Sequence, residues 1–315
     1  MTLWTKLSLA SLGLIGVGVG IAIRLGSSNW MHKTSQLVEN LKRSLATREM
    51  KTVSFKDFDQ LPAPVARYFR RVLTDGQPVI RSARINSVGE FRLDRSDNGW
   101  SPFEATQYFS AQTPGFVWAA DIRLNPLMKV RVRDAYVAGQ GSMQAKILSL
   151  VPVVDGRGKA ELNAGALQRY LAEAVWFPPA LLPSAGVQWS AIDESRALAT
   201  LTDSGTTVSL EFHFNEVGEI TSVFTPARYR EVNGKYELTP WEGHFRNYEE
   251  REGMLIPVEA DVEWQLSGGS FPYWKGRVVE IKYDFACAGE SDLLSQCPAT
   301  IPSNNSGSLK AGNAV

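Results

Sequence analysis

From residue 79 to residue 285 apolar and polar side chains alternate with a period of two, and no other feature limits the possible folds as much. The stretch "GFVWAADIRL" sets Phe116, Trp118, Ala120, Ile122 and Leu124 against mostly small or polar partners. In "MKVRVR", Met128, Val130 and Val132 stand opposite Lys129, Arg131 and Arg133, and "TVSLEFHF", "IPVEADVEW" and "VVEIKYDF" repeat the pattern. Successive side chains of a strand point to opposite faces, so each segment reads as a strand with one buried face. The turn sequences "NEVG" (215–218) and "EVNG" (231–234) join neighbours as hairpins. About ten to twelve antiparallel strands are predicted. A sheet with one apolar face needs a cover, and little helical sequence remains to supply one.

Two segments carry the helical period instead. In "LPAPVARYFRRVLTDG", Val65, Tyr68, Phe69, Val72 and Leu73 fall on one stripe, prolines precede it and Gly76 follows. A helix over 64–74 is predicted. Arg67, Arg70 and Arg71 occupy its outer side, either as a solvated face or as a contact for anionic lipid headgroups. In the second segment the stripe is Leu167, Tyr170, Leu171, Ala174 and Phe177, with Asn163 placed to cap its start. Pro178 and Pro179 then force extended backbone. These two helices are the predicted cover.

The amino terminus is different in kind. "LSLASLGLIGVGVGIAI" (7–23) has no charge between Lys6 and Arg24, and as a helix it covers roughly 25 Å, close to the thickness of bilayer hydrocarbon. It exceeds the apolar stretch of a cleaved signal, and "IAIRLGSS" is a poor cleavage site, so an uncleaved anchor over 1–25 is favoured. An amphipathic helix and linker follow over 26–54, with Leu37, Val38, Leu41 and Leu45 on one stripe. The sheet domain spans 55–286, and the small polar residues of 287–315 predict a disordered tail. Lysine and arginine counts around the anchor lean toward a cytoplasmic domain. A short amino terminus before a large domain favours the extracytoplasmic side of a bacterial inner membrane. Cys287 and Cys297 are either a disulfide or two free thiols.

Lys plus Arg (33) equals Asp plus Glu (33), and no basic tract carries interleaved aromatics, so nucleic acid is not an expected partner. Three histidines and two cysteines leave few ligands for a transition metal. No phosphate-binding glycine loop or nucleophile elbow occurs, and no cofactor is expected. The candidates for chemistry are therefore few. Glu242, His244 and Arg246 share a strand face, as an acid/base and anion-binding set or as a ladder of salt bridges. Glu211 and His213 share another, and Glu259, Asp261 and Glu263 form an acidic row, suited in principle to calcium or else to pairing with basic strands. Nine Trp and fourteen Phe are more rings than a thin sheet-on-helix layer needs. They either fill the core or line a hydrophobic pocket, whose binding residues would be Trp118, Trp176, Phe177, Leu181 and Leu182, with the helix end at its mouth.

The runs "LPAPVARYFRRVL", "RYLAEAVWFPPALLP", "FTPARYREVNGKYELTPWEGHF" and "FPYWKGRVVEIKYDF" resemble an uncharacterised bacterial family of membrane-anchored proteins, a domain of unknown function, over residues 55–285. That resemblance implies no catalytic residues. The many strands around few helices are more loosely similar to the half-barrels of periplasmic lipoprotein carriers. Fold class is thus expected to be α+β, a large curved antiparallel sheet covered by a few helices behind a transmembrane helix. The expected function is non-catalytic binding of a lipid, a lipidated peptide or an envelope partner. A hydrolase using Glu242, His244 and Arg246, or a sensory interaction domain, is the alternative.

Overall fold

The computed structural model describes residues 3–43, 52–92, 99–126 and 128–285, with side chains from residue 17 onward. The predicted tail with Cys287 and Cys297, and Leu45 of the amino-terminal stripe, lie outside the described residues.

The alternating segments pair into one antiparallel sheet of thirteen strands. These are β1 (Ile80–Phe91), β2 (Ser101–Ser110), β3 (Gly115–Asn125), β4 (Met128–Val137), β5 (Gln140–Ile147), β6 (Val151–Arg157), β7 (Gln188–Ala191), β8 (Arg196–Asp203), β9 (Thr206–Phe214), β10 (Ile220–Val232), β11 (Lys235–Arg251), β12 (Met254–Leu266) and β13 (Gly269–Phe285). Their order is β6-β5-β4-β3-β2-β1-β13-β12-β11-β10-β9-β8-β7, so every connection but the helical one between β6 and β7 is a neighbour hairpin, and the first and last strands, β1 and β13, pair at the centre of the sheet. Register shifts between Asn86 and Ser87, Thr225 and Arg228, and Val262 and Glu263 bend the strands and help wrap the sheet into a half-barrel.

Two helices fill the concave side. The first predicted helix is α2, Ala63–Val72, numbered after the amino-terminal helix α1, Leu3–Arg43. Its apolar stripe is buried against β8 and β12. The second is α3, Ala160–Glu173, which touches β3, β4 and β5 on one side and β9 and β10 on the other, bridging the open side of the half-barrel. Leu167, Tyr170, Leu171, Ala174 and Phe177 are all buried, as their spacing predicts. Two local expectations are corrected. Asn163 does not cap α3, because the helix already starts at Ala160; its Oδ1 instead accepts a bond from the Gly141 N–H at 2.8 Å. Pro178 and Pro179 do not lead into extended chain but open a 3-10 turn, Pro178–Leu181, since the fixed proline φ suits a first helical position.

The core sits at one end of the half-barrel. Phe109, Phe116, Tyr136, Tyr170 and Phe177 are buried there, with the Phe109 and Phe177 ring centroids 4.3 Å apart. The opposite end is a rim made by the turns β1–β2, β3–β4, β5–β6, β10–β11 and β12–β13.

α1 is one continuous helix of 41 residues, with no break where anchor and amphipathic helix were expected to divide. Val38 and Leu41 pack on Val117 and Ala135, which point outward from β3 and β4. Arg133 Nη1 donates to Thr34 Oγ1 at 2.9 Å and its guanidinium lies over the Trp30 ring, while Arg131 Nη1 donates to Ser27 Oγ at 2.6 Å. A Cβ on Gly26 would stand 2.7 Å from the Ser149 carbonyl oxygen, so helix and β5–β6 turn are in contact there. α1 therefore climbs the outer wall from Leu41, beside Gly115, to Gly26 at the rim, and residues 3–25 continue beyond it. No helix among the described residues is long and apolar enough to cross a membrane, and residues 7–16 of the expected span lie outside the described side chains.

Candidate functional site

Between α3 and the rim half of the sheet lies a cavity of about 610 Å³. Ile122, Val130, Val132, Ala145, Ala260 and Val262 supply its floor from alternate positions of four strands, β3, β4, β5 and β12. Leu162, Ala166 and Ala172 supply the facing wall from α3. Strand-end residues Phe91, Leu124, Ile147, Tyr236 and Trp264 extend it to the rim. The two halves of the barrel differ in how they treat aromatic rings. Rings at the closed end are buried, whereas Phe91, Trp264, Tyr273 and Trp274 on the cavity keep partial exposure.

Charged groups are set into this apolar wall. Arg169 of α3 donates from Nη1 to Asp134 at 2.6 Å and from Nε to Glu173 at 2.9 Å, and its guanidinium lies 5.0 Å from the ring centroids of both Phe116 and Trp118. Glu173 also accepts from Gln107 Nε2 at 2.7 Å. Burial pushes the Glu173 carboxyl above the usual carboxylate range, and the Arg169 charge opposes that shift. Arg228 lies over the Trp241 ring at 5.0 Å and, among the described residues, forms no ion pair within 4.0 Å. Its Nη1 is buried with no acceptor, and so is Nε1 of Trp176. Trp241 Nε1 donates instead to the Tyr273 hydroxyl at 3.0 Å.

Of the residues expected to bind, Trp118 and Trp176 stand in the cavity wall. Phe177, Leu181 and Leu182 lie behind it in the core: Phe177 packs on Phe109 and Tyr170, and the Leu181 carbonyl accepts from Trp189 Nε1 at 2.9 Å. The helix end accordingly forms the base of the space, and the rim takes the place expected for the mouth. Arg67, Arg70 and Arg71 lie along α2 and meet protein groups: Arg70 pairs with Asp59 at 2.6 Å, Arg71 with Glu219 at 3.5 Å, and Arg67 donates to the Glu194 carbonyl at 3.2 Å.

The alternative chemical set is divided. Glu242, His244 and Arg246 point outward from β11, on the face away from the cavity. His244 stands 4.0 Å from Glu242 and 3.7 Å from Glu263, but Arg246 turns to Glu259 at 3.5 Å and to Asp261, its own neighbours across to β12. Glu242, His244 and Glu263 hold donor atoms within 4.8 Å of one another, and Gln265 Nε2 donates to both carboxylates. His213 pairs with Glu211 at 2.7 Å. All are surface pairs of a polar sheet face.

The buried charges were the part of the site that alternation did not mark as such. Asp134 had a readable signal, a carboxylate in phase with the inward Val130, Val132 and Tyr136. Arg228 did not, because the shift at Pro226 and Ala227 resets the phase of β10 before it.

A family model for DUF6920, a family of unknown function, matches residues 59–283. The chain belongs to this family. The DUF6920 region runs from just before α2 to the end of the sheet, so it contains both walls of the cavity, whereas α1 precedes it. No curated protein matches the chain. Among solved structures, a LolA superfamily protein from Nitrosomonas europaea is similar with a TM-score of 0.37 at 10% identity, over 73% of this chain and 93% of that one. A beta-barrel-like protein of a domain of unknown function, DUF1849, from Brucella abortus has a TM-score of 0.20 at 8% identity, over 65% of this chain and 98% of that one.

Proposed function

We propose that this DUF6920 protein is a membrane-tethered, non-catalytic binder of a hydrophobic ligand, a lipid or a lipidated peptide, held between α3 and the rim half of the sheet. The carrying observation is the cavity itself: about 610 Å³, faced by aliphatic residues from both sheet and helix, within the roughly 300–1,000 Å³ of small-molecule sites. Each methylene moved there from water contributes about 0.8 kcal/mol. The tether in this reading is the apolar run 7–23, with the domain on the extracytoplasmic side of a bacterial inner membrane. Support for the tether comes from direction. α1 passes the rim at Gly26, the cavity extends to the same rim, and exposed Leu150 of the β5–β6 turn and Val151 and Val153 of the edge strand β6 flank it. An exposed apolar edge is a liability in water and a fit for a bilayer surface.

Lipid extraction and native mass spectrometry of the full chain, purified in mild detergent, test this reading. The expected result is a co-purifying acyl-chain lipid in stoichiometric amount, lost in Ala145→Phe, which fills the cavity from its floor. Equal lipid content in the wild type and in a folded Ala145→Phe protein would contradict it.

A further inference from the structure

Two cations of the cavity wall, Arg228 and Arg230, have a buried donor with no acceptor among the described residues, Nη1 of the first and Nε of the second, and Arg228 is the one desolvated enough to shift its pKa. By contrast Arg169, in the same wall, is held between two carboxylates, Asp134 and Glu173, at 2.6 and 2.9 Å. Among the described residues Arg228 has the face of Trp241 beneath it and no carboxylate within salt-bridge distance, and its Nη1 meets no acceptor. Asp134 and Glu173 act on it at longer range, opposed by Arg169, and the Tyr273 hydroxyl is engaged by Trp241. Burial lowers the pKa of Arg228 from the ordinary arginine value, yet a guanidinium stays protonated in proteins. A desolvated donor left without an acceptor is costly, and such a group becomes favourable when an anion arrives to fill the vacancy. The Trp176 indole N–H, also buried in the wall without an acceptor, adds a second donor that only a polar occupant can satisfy.

We infer that the occupant is an anionic single-chain amphiphile, a long acyl or alkyl chain ending in a carboxylate or phosphate, whose head group pairs with Arg228 inside the cavity while the chain lies along the aliphatic floor. This rests on the hydrophobic-ligand reading above and deepens it. The geometry suits Arg in particular, because its planar fork presents parallel donors to two oxygens while its face stays on Trp241.

The test uses the full chain in phosphatidylcholine nanodiscs and follows tryptophan quenching by three probes brominated on the chain: palmitate, its methyl ester and hexadecyl phosphate. Charged hydrogen bonds of this kind set the expected preference of either anion over the ester at about tenfold or more. Arg228→Gln should abolish that preference and leave ester binding unchanged, which also reports that the variant is folded; Arg228→Lys should keep part of it. The ranking of palmitate against hexadecyl phosphate distinguishes carboxylate from phosphate as the head group. Equal binding of palmitate, phosphate and ester by the wild type would overturn the inference and leave hydrophobic binding standing. Failure of all three probes to bind would overturn both.

Discussion

At the scale of single residues, what matters is whether each buried charge has a partner. Arg169 bridges two carboxylates inside an apolar wall, and removing one member of such a cluster strands the others. Arg169→Met should therefore cost about 3–5 kcal/mol, read as a shift in the urea midpoint. The loss should be larger at pH 8 than at pH 5. Glu173 already has a folded-state pKa above its unfolded value, and without Arg169 it rises further. A raised carboxyl stabilises the fold while protonated and withdraws that contribution as pH rises through the folded pKa, so acid relieves the variant. Asp134 stands in phase with the inward Val130 and Val132, a signal the alternation offered without its being read, whereas Arg228 has no phase, because a bulge at Pro226 and Ala227 separates it from the regular part of β10. The surplus of large apolar side chains grouped Phe177, Leu181 and Leu182 with Trp118 and Trp176, since size and spacing do not distinguish a side chain that closes a core from one that borders a space.

At the scale of elements, the sheet was legible and the seams between elements were not. Period two marks a strand wherever one face is buried, and the hairpins at 215–218 and 231–234 follow from their turn residues. β6 escapes the rule: Pro152 and Gly156 interrupt it, and most of its side chains are exposed. The stripe of Leu37, Val38 and Leu41 announced an amphipathic helix, but the partner it packs on, the outer face of β3 and β4, is a tertiary fact that no local period carries. α3 depends on an equally non-local contact. Gly141 of β5 lets the first turn of the helix come so close that an added Cβ would lie 2.4 Å from the Leu162 carbonyl oxygen. Gly141→Val should lift that turn from the sheet and loosen the bridge over the cavity. Hydrogen exchange checks this: amides of 160–167 should exchange about tenfold or more faster while those of β11 and β12 keep their protection. Unchanged exchange in α3 would show that the close approach does not hold the helix down.

At the scale of the whole molecule, the account joins three features that point to one rim. Ten of the strands converge on it through their turns, the cavity extends to it, and α1 leaves the domain there with its apolar run ahead. The closed end is packed with rings, and the cavity between α3 and the sheet lies in the half that faces the same way as residues 3–25. The claim on which the rest depends is that a hydrophobic chain enters this space between α3 and the sheet. The most direct measurement is photo-crosslinking of the full chain in nanodiscs with a fatty acid carrying a diazirine in its chain, followed by peptide mapping. The account predicts adducts on residues of the cavity wall, Trp118, Val132, Ala145, Ala166 and Trp241 among them. Adducts confined to residues 7–23 and the outer face of the sheet, with none on that wall, would contradict it.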